Sequence, residues 1–191
     1  MLSLIFLEKT PDFLYNIETM KMIKNFKINL RQGYVFREVK KKKIEISEEE
    51  LSQKLKEIQS CIKPATVYET FSPAVFGKKI DFGKSIAATL FAITLGKEIE
   101  TLCKNEILDA SVKDGLEVCK NFILKLIYLE AEEEHCELLE TTEVEPSNIF
   151  ENQKILQKMD FSKIGIKFES GGLIPVSTKF FVIGWLLKKK K

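Results

Sequence analysis

Between residues 47 and 62 the apolar positions Leu51, Leu55, Ile58 and Ile62 recur every three or four residues, the spacing of one buried stripe on a helix. Ser47 and Glu50 stand at capping-box spacing ahead of it. Pro64 follows, where a missing N–H and the restriction on Lys63 oppose further helix. A longer helix is expected from about Asn105 to Leu139, with Leu108, Val112, Gly115, Cys119, Phe122, Leu126 and Leu129 at helical spacing. Glycine costs a helix interior about 1 kcal/mol relative to alanine, so a close packing contact is the expected reason for Gly115. Thr10 and Pro11 predict a short helix carrying Phe13, Leu14 and Ile17, and Ile155, Leu156 and Met159 predict another.

Elsewhere the period shortens to two. Phe26, Ile28 and Leu30 predict a strand, and Gln32 with Gly33 a turn into a second strand over Tyr34 to Val39. Val67, Glu69 and Phe71 alternate likewise, and the apolar run Ile86 to Leu95 reads as a strand buried on both faces. Gly96 ends that run, and Glu98 and Glu100 fall where acidic side chains favour a new helix start. Thr94 and Gly96 are accordingly assigned to strand exit and helix start. The polar stretch Glu140 to Asn148 predicts a loop. Ile164, Ile166 and Phe168 predict a strand, Gly171 with Gly172 a turn, and Leu173 to Val176 and Phe180 to Trp185 two closing strands, with Pro175 at an edge or bend. Strands and helices in this order predict an α+β class.

The chain has 191 residues, 45% hydrophobic and 30% charged, the balance of an ordinary globular protein. One domain over 1–191 is expected, with 1–22 as an unassigned N-terminal extension. A net charge of +2 gives no general attraction to nucleic acid or anionic membrane. The lysine runs Lys40 to Lys43 and Lys188 to Lys191 read as solvated. The apolar runs Leu4 to Leu7 and Phe180 to Leu187 fall far short of the roughly 20 residues of a spanning helix. The first also lacks the basic start of a secretory signal, so a cytoplasmic location is expected.

Cys61, Cys103, Cys119 and Cys136 form no CxxC pair, which argues against a zinc site or redox dithiol and for reduced, mostly core cysteines. On one helix, Cys119 and Cys136 stand roughly 25 Å apart, beyond disulfide reach. His135 is the only histidine. Its Glu-x-x-His spacing with Glu132 has no second copy, as a di-iron bundle requires. Glu130 to Glu134 reads as an exposed helix face. No Walker A sequence occurs, and Gly171 with Gly172 lack the setting of a dinucleotide fingerprint.

Four segments change this picture when taken in order: KPATVYETF at Lys63 to Phe71, LFAITLGKEIE at Leu90 to Glu100, ILDASVKDGLEV at Ile107 to Val118, and IGIKFESGGLIPVSTKFFVIGW at Ile164 to Trp185. Together they resemble the activation (reactivation) domain of cobalamin-dependent methionine synthase, over about four-fifths of the chain from near Gly33 or Val35 onward. The last block is the most specific, since Glu169, Ser170 and Pro175 match the spacing of that family's glutamate-serine turn and following proline.

The resemblance implies a bent antiparallel sheet flanked by helices. It also implies a role as an accessory subunit in reductive methylation of cob(II)alamin, with S-adenosylmethionine as methyl donor and cobalamin carried by the partner. That partner is a methionine synthase lacking its own activation domain, served by a flavodoxin-like electron donor; neither nucleic acid nor membrane is implied. Glu169, Ser170, Gly171 and Gly172 are the implied S-adenosylmethionine-binding positions, with no catalytic residue and no metal ligand, because the cob(I) centre is itself the nucleophile. The chain departs from the family at two places. The family's arginine, three residues, glycine-tyrosine signature corresponds to Glu140 through Glu145, where Val144 and acidic residues stand and no arginine occurs. Gly171 replaces an aromatic residue. The alternative reading is a non-catalytic binding or scaffold module that kept the fold and lost the ligand.

Overall fold

The computed structural model describes residues 20–77, 80, 82–169 and 172–189. The helix expected at Thr10 to Ile17 lies outside them, as do Leu4 to Leu7, Ser170, Gly171, Lys190 and Lys191. The described chain is an α+β fold built on one antiparallel sheet with helices on both faces. Its strands are β1 (Lys21–Lys24), β2 (Ala65–Phe71), β3 (Ala87–Thr94), β4 (Cys136–Leu138), β5 (Thr142–Glu143) and β8 (Thr178–Leu187). Their spatial order is β1-β2-β3-β8-β4, and β5 pairs with β8 beside β4. β6 (Lys167–Glu169) and β7 (Gly172–Ile174) form a separate antiparallel pair. The helices are α1 (Gln32–Lys41), α2 (Glu48–Cys61), α3 (Glu106–Glu133), α4 (Pro146–Phe150) and α5 (Gln153–Leu156).

Alternation along the central strands divides the core in two. Phe91, Ile93, Phe181, Ile183 and Trp185 face α1, α2 and α3, packing with Val35, Val39, Leu51, Leu55, Cys119, Ile123 and Ile127. Leu90, Ala92, Phe180 and Val182 face the other way, onto Ile149, Ile155, Met159 and Phe161. Every residue of β3 is therefore buried, and its unbroken apolar run is the expected signature of a strand covered on both sides. Each large side chain so buried contributes roughly 1.5–3 kcal/mol. Thr89, polar yet fully buried in β3, accepts the Trp185 indole N–H at 2.8 Å and meets the Thr70 hydroxyl at 2.8 Å.

α2 starts with the full capping box: the Glu50 N–H donates to Ser47 Oγ at 3.2 Å, and the Ser47 N–H donates to Glu50 Oε2 at 3.1 Å. Leu51, Leu55, Ile58 and Ile62 are all buried, as the spacing predicts. α3 is capped by Asn105, whose side-chain oxygen accepts from the Ile107 and Leu108 N–H groups. A Cβ on Gly115 would stand 3.0 Å from Leu95 Cδ1, which confirms close packing as the reason for that glycine.

Three expectations are corrected. Tyr34 to Val39 is helix, not strand: α1 buries Val35 and Val39, one turn apart, against the helical layer. Phe26 to Leu30 does alternate, with Ile28 buried, yet it joins no sheet. The side-chain amide of Gln59 stands in for a neighbouring strand, donating to the Ile28 carbonyl at 3.1 Å and accepting the Leu30 N–H at 2.9 Å. The strand on this side is β1, whose Lys21 and Met22 pair with Tyr68 and Val67 inside the segment expected to be an extension. Finally, α3 stops at Glu133; His135 turns the chain with φ of 56°, and Cys136–Leu138 pairs with β8.

Smaller differences follow the same logic. The loop over Glu140 to Asn148 contains β5 and the first turn of α4. Ile164 closes a short 3-10 turn over Phe161–Ile164, so the strand expected from Ile164 narrows to β6. The strand expected over Leu173 to Val176 ends at Ile174, and Pro175 stands in the bend that follows, the second of the two places expected for it. All four cysteines are free. No described helix is long and apolar enough to cross a membrane.

Candidate functional site

A groove of about 850 Å³ opens where α3 meets the start of β8. Its apolar floor combines Leu108, Val112 and Leu116 from one face of α3, Ile99 from the 3-10 turn Glu98–Thr101, and the ring of Phe181. Spacing of four residues along α3 aligns its share of the floor. The volume falls in the usual range for small-molecule sites, about 300–1,000 Å³.

The rim is charged with both signs. The Lys179 ammonium pairs with Glu143 across the β5–β8 ladder, where Glu143 stands opposite Phe181. Lys120 pairs with Glu117 at 2.7 Å and lies 5.6 Å over the Phe181 ring. Lys113 reaches away to Glu38 at 3.6 Å; charge interaction and a hydrogen bond with Tyr34, and then the Glu38 carboxylate, raise its pKa above the ordinary lysine value. Lys104 has no ion-pair partner among the described residues, which leaves it available to an anionic ligand.

At the other end of the groove, Val176 and Ser177 direct successive backbone N–H groups at one oxygen of Glu100. Ser177 is fixed from behind: its carbonyl accepts the Leu95 N–H at 3.2 Å, and its hydroxyl donates to the Gly96 carbonyl at 3.4 Å. Gly96 itself has φ of 88°, and a Cβ there would stand 3.0 Å from the Lys63 carbonyl oxygen. Thr94 Oγ1 accepts the Gly96 N–H at 3.2 Å, so both residues shape the strand exit as expected. Lys63 pairs with Glu98 at 2.8 Å, and this hydrogen bond is the largest cause holding Glu98 below the usual carboxylate range.

The positions singled out from the sequence fall on either side of this groove. Glu143, within the Glu140 to Glu145 loop, lines it, and so does Val176, directly after the Glu169 to Pro175 block. Glu169 and Gly172 sit opposite each other at the end of the β6-β7 pair and do not line it. Glu169 is exposed, and Gly172 holds φ of 118°. Ser170 and Gly171 lie outside the described residues. Glu100, Lys104 and Lys179 were missed as site residues. Glu100 reads locally as a helix-start acid, and only the return of the chain at Val176 gives it another partner.

His135 is exposed, and Glu132 pairs with Lys188 at 3.3 Å and accepts from the Tyr128 hydroxyl at 2.9 Å. Glu130 departs from the expected exposed face: half-buried, it accepts from the Tyr68 hydroxyl at 2.7 Å and pairs with Lys21 at 3.0 Å. No group of three or more potential metal ligands converges among the described residues. The chain matches no protein-family model and no curated protein.

Proposed function

We propose that this chain is an activation-domain-like accessory module that holds S-adenosylmethionine for reductive methylation of cobalamin on a partner methionine synthase. The observation carrying the proposal is that two segments singled out by the resemblance, the loop at Glu140 to Glu145 and the block Ile164 to Trp185, meet at one groove through Glu143 on one side and Val176, Ser177, Lys179 and Phe181 on the other. The antiparallel sheet with flanking helices is consistent with the family's fold.

The groove's chemistry suits a ligand of this class. Its apolar floor and the Phe181 ring can cover an adenine, the Glu143 carboxylate can offset a sulfonium, and Lys104 can meet a carboxylate in the absence of the family's arginine. Proximity and orientation are then the protein's contribution. In this reading a flavodoxin-like donor reduces the partner's cob(II)alamin by one electron, and the resulting cob(I) takes the methyl group, leaving S-adenosylhomocysteine. Mixing the chain with a methionine synthase that lacks its activation domain, under reducing turnover, is expected to sustain methyl transfer. No gain in sustained activity removes the proposal.

The missing arginine and the engagement of Glu143 by Lys179 favour one second reading, a binding module that retains the frame without the methyl donor. Calorimetry separates the two: one-site binding of S-adenosylmethionine by the isolated chain counts against the scaffold reading.

A further inference from the structure

We infer that the backbone N–H groups of Val176 and Ser177 form a carboxylate-binding subsite of the groove, and that Glu100 is an internal carboxylate occupying it until a ligand's own carboxylate takes its place. The inference deepens the S-adenosylmethionine reading and rests on it for the identity of the ligand. Consecutive N–H groups aimed at one point make an anion-binding concavity in many proteins. Here both are aimed at a single oxygen, Glu100 Oε1, which arrives from a different part of the chain.

The Ser177 donor is held in place independently of Glu100. Ser177 is buried and tied through its carbonyl to Leu95 and through its hydroxyl to Gly96, so its N–H stays beside the groove when the carboxylate leaves. Val176 is 76% exposed, which leaves the donors open to the groove. Glu100 is itself exposed and can swing into water. An exposed carboxylate regains hydration on leaving, so its net hold is modest, whereas the same donors gain a charge-assisted bond to any ligand carboxylate. Lys104, without an ion-pair partner among the described residues, stands on the same groove and adds positive charge for the incoming group. The subsite replaces the arginine absent from Glu140 to Glu145 with backbone donors, and makes ligand entry a competition with Glu100.

The test follows the Val176 and Ser177 amide resonances by heteronuclear NMR in the wild-type chain, Glu100→Ala and Glu100→Gln. The probes are methionine, methioninamide and S-adenosylmethionine. In Glu100→Ala, methionine is expected to shift both resonances with an affinity about tenfold above wild type, since the competing group is gone. Methioninamide, lacking the carboxylate, is expected to leave both in place. Glu100→Gln retains an oxygen acceptor without charge and is expected to fall between the two. The spectra themselves report whether each variant is folded. Failure of methionine to move either amide in Glu100→Ala, or equal shifts with methioninamide, overturns the inference. If methionine behaves as expected while S-adenosylmethionine binds no variant, the subsite stands and the proposed methyl-donor role falls.

Discussion

Asp114 is a fully buried carboxylate in the middle of α3, and Arg31 is what makes its burial tolerable. Three N–H donors converge on it: the Arg31 backbone N–H at 2.7 Å to Oδ2, and the guanidinium Nε at 2.8 Å and Nη2 at 2.7 Å to Oδ1. Because Arg31 is the N-cap of α1, this contact also fixes where α1 begins against α3. Breaking a fully buried ion pair costs about 3–5 kcal/mol. The Arg31 side chain is 49% exposed, so its guanidinium regains water when the partner is lost, and the exposed share of the pair counts for little. Asp114→Ala is therefore expected to cost about 2–3 kcal/mol, mainly from the orphaned N–H and lost packing. Arg31→Ala is expected to cost about 3 kcal/mol or more, because it strands a charge with no access to solvent. Asp114→Asn keeps an oxygen for the backbone N–H but sets its amide N–H groups against the guanidinium donors, and is expected to cost about as much as Asp114→Ala. Urea unfolding followed by circular dichroism measures all three, and the corresponding fall in Tm for Asp114→Ala is about 4–12 °C. A midpoint for Asp114→Ala indistinguishable from wild type, or Asp114→Asn worse than Arg31→Ala, refutes the reasoning.

Gly184→Ala is expected to destabilise by about 1–3 kcal/mol, because a Cβ there would stand 2.5 Å from Ser85 Oγ and 2.9 Å from Leu139 Cδ1; thermal unfolding reads it. Ser47→Ala removes one half of the capping box and is expected to cost about 1 kcal/mol, measured by the same unfolding curves. Burial pushes the Cys119 thiol from 9.0 up to about 12. The native state keeps that proton where the unfolded chain gives it up, so the contribution is whole below pH 9.0 and stability falls as pH rises from there toward about 12. Urea midpoints across that range should fall less steeply in Cys119→Ala. At neutral pH, iodoacetamide followed by mass spectrometry is expected to label exposed Cys103 first and leave Cys119 unmodified in the folded chain.

The elements legible in the sequence are those whose local signal and tertiary role agree. α2 carries its own start, stripe and stop, and β3 is apolar throughout because both faces are covered. α1 was hidden because Tyr34, Val35, Phe36 and Val39 favour extended backbone locally, while the contacts that make it helical, Arg31 to Asp114 and Val35 and Val39 to the core, are distant in sequence. In α3 the expected line Phe122, Leu126, Leu129 follows a 3.5-residue repeat and drifts toward solvent, leaving Phe122 and Leu129 exposed. The buried line runs instead through Cys119, Ile123, Ile127 and Ala131. The groove was only half visible. The Glu140 to Glu145 loop and the block Ile164 to Trp185 marked its two sides, but Glu100 becomes a site residue only when β3 and β8 bring Val176 beside it.

The position of β8 between β3 and the β4/β5 edge has a consequence for assembly. β3 finds one neighbour early, in β2, but its other edge waits until α3 and then β4, β5, α4, α5, β6 and β7 have been passed in the chain. Until then an eight-residue strand of apolar and small side chains presents unpaired N–H and C=O groups to whatever it meets. Overproduction at high temperature is therefore expected to trap the chain in insoluble aggregates, and slower synthesis in the presence of chaperones to rescue it.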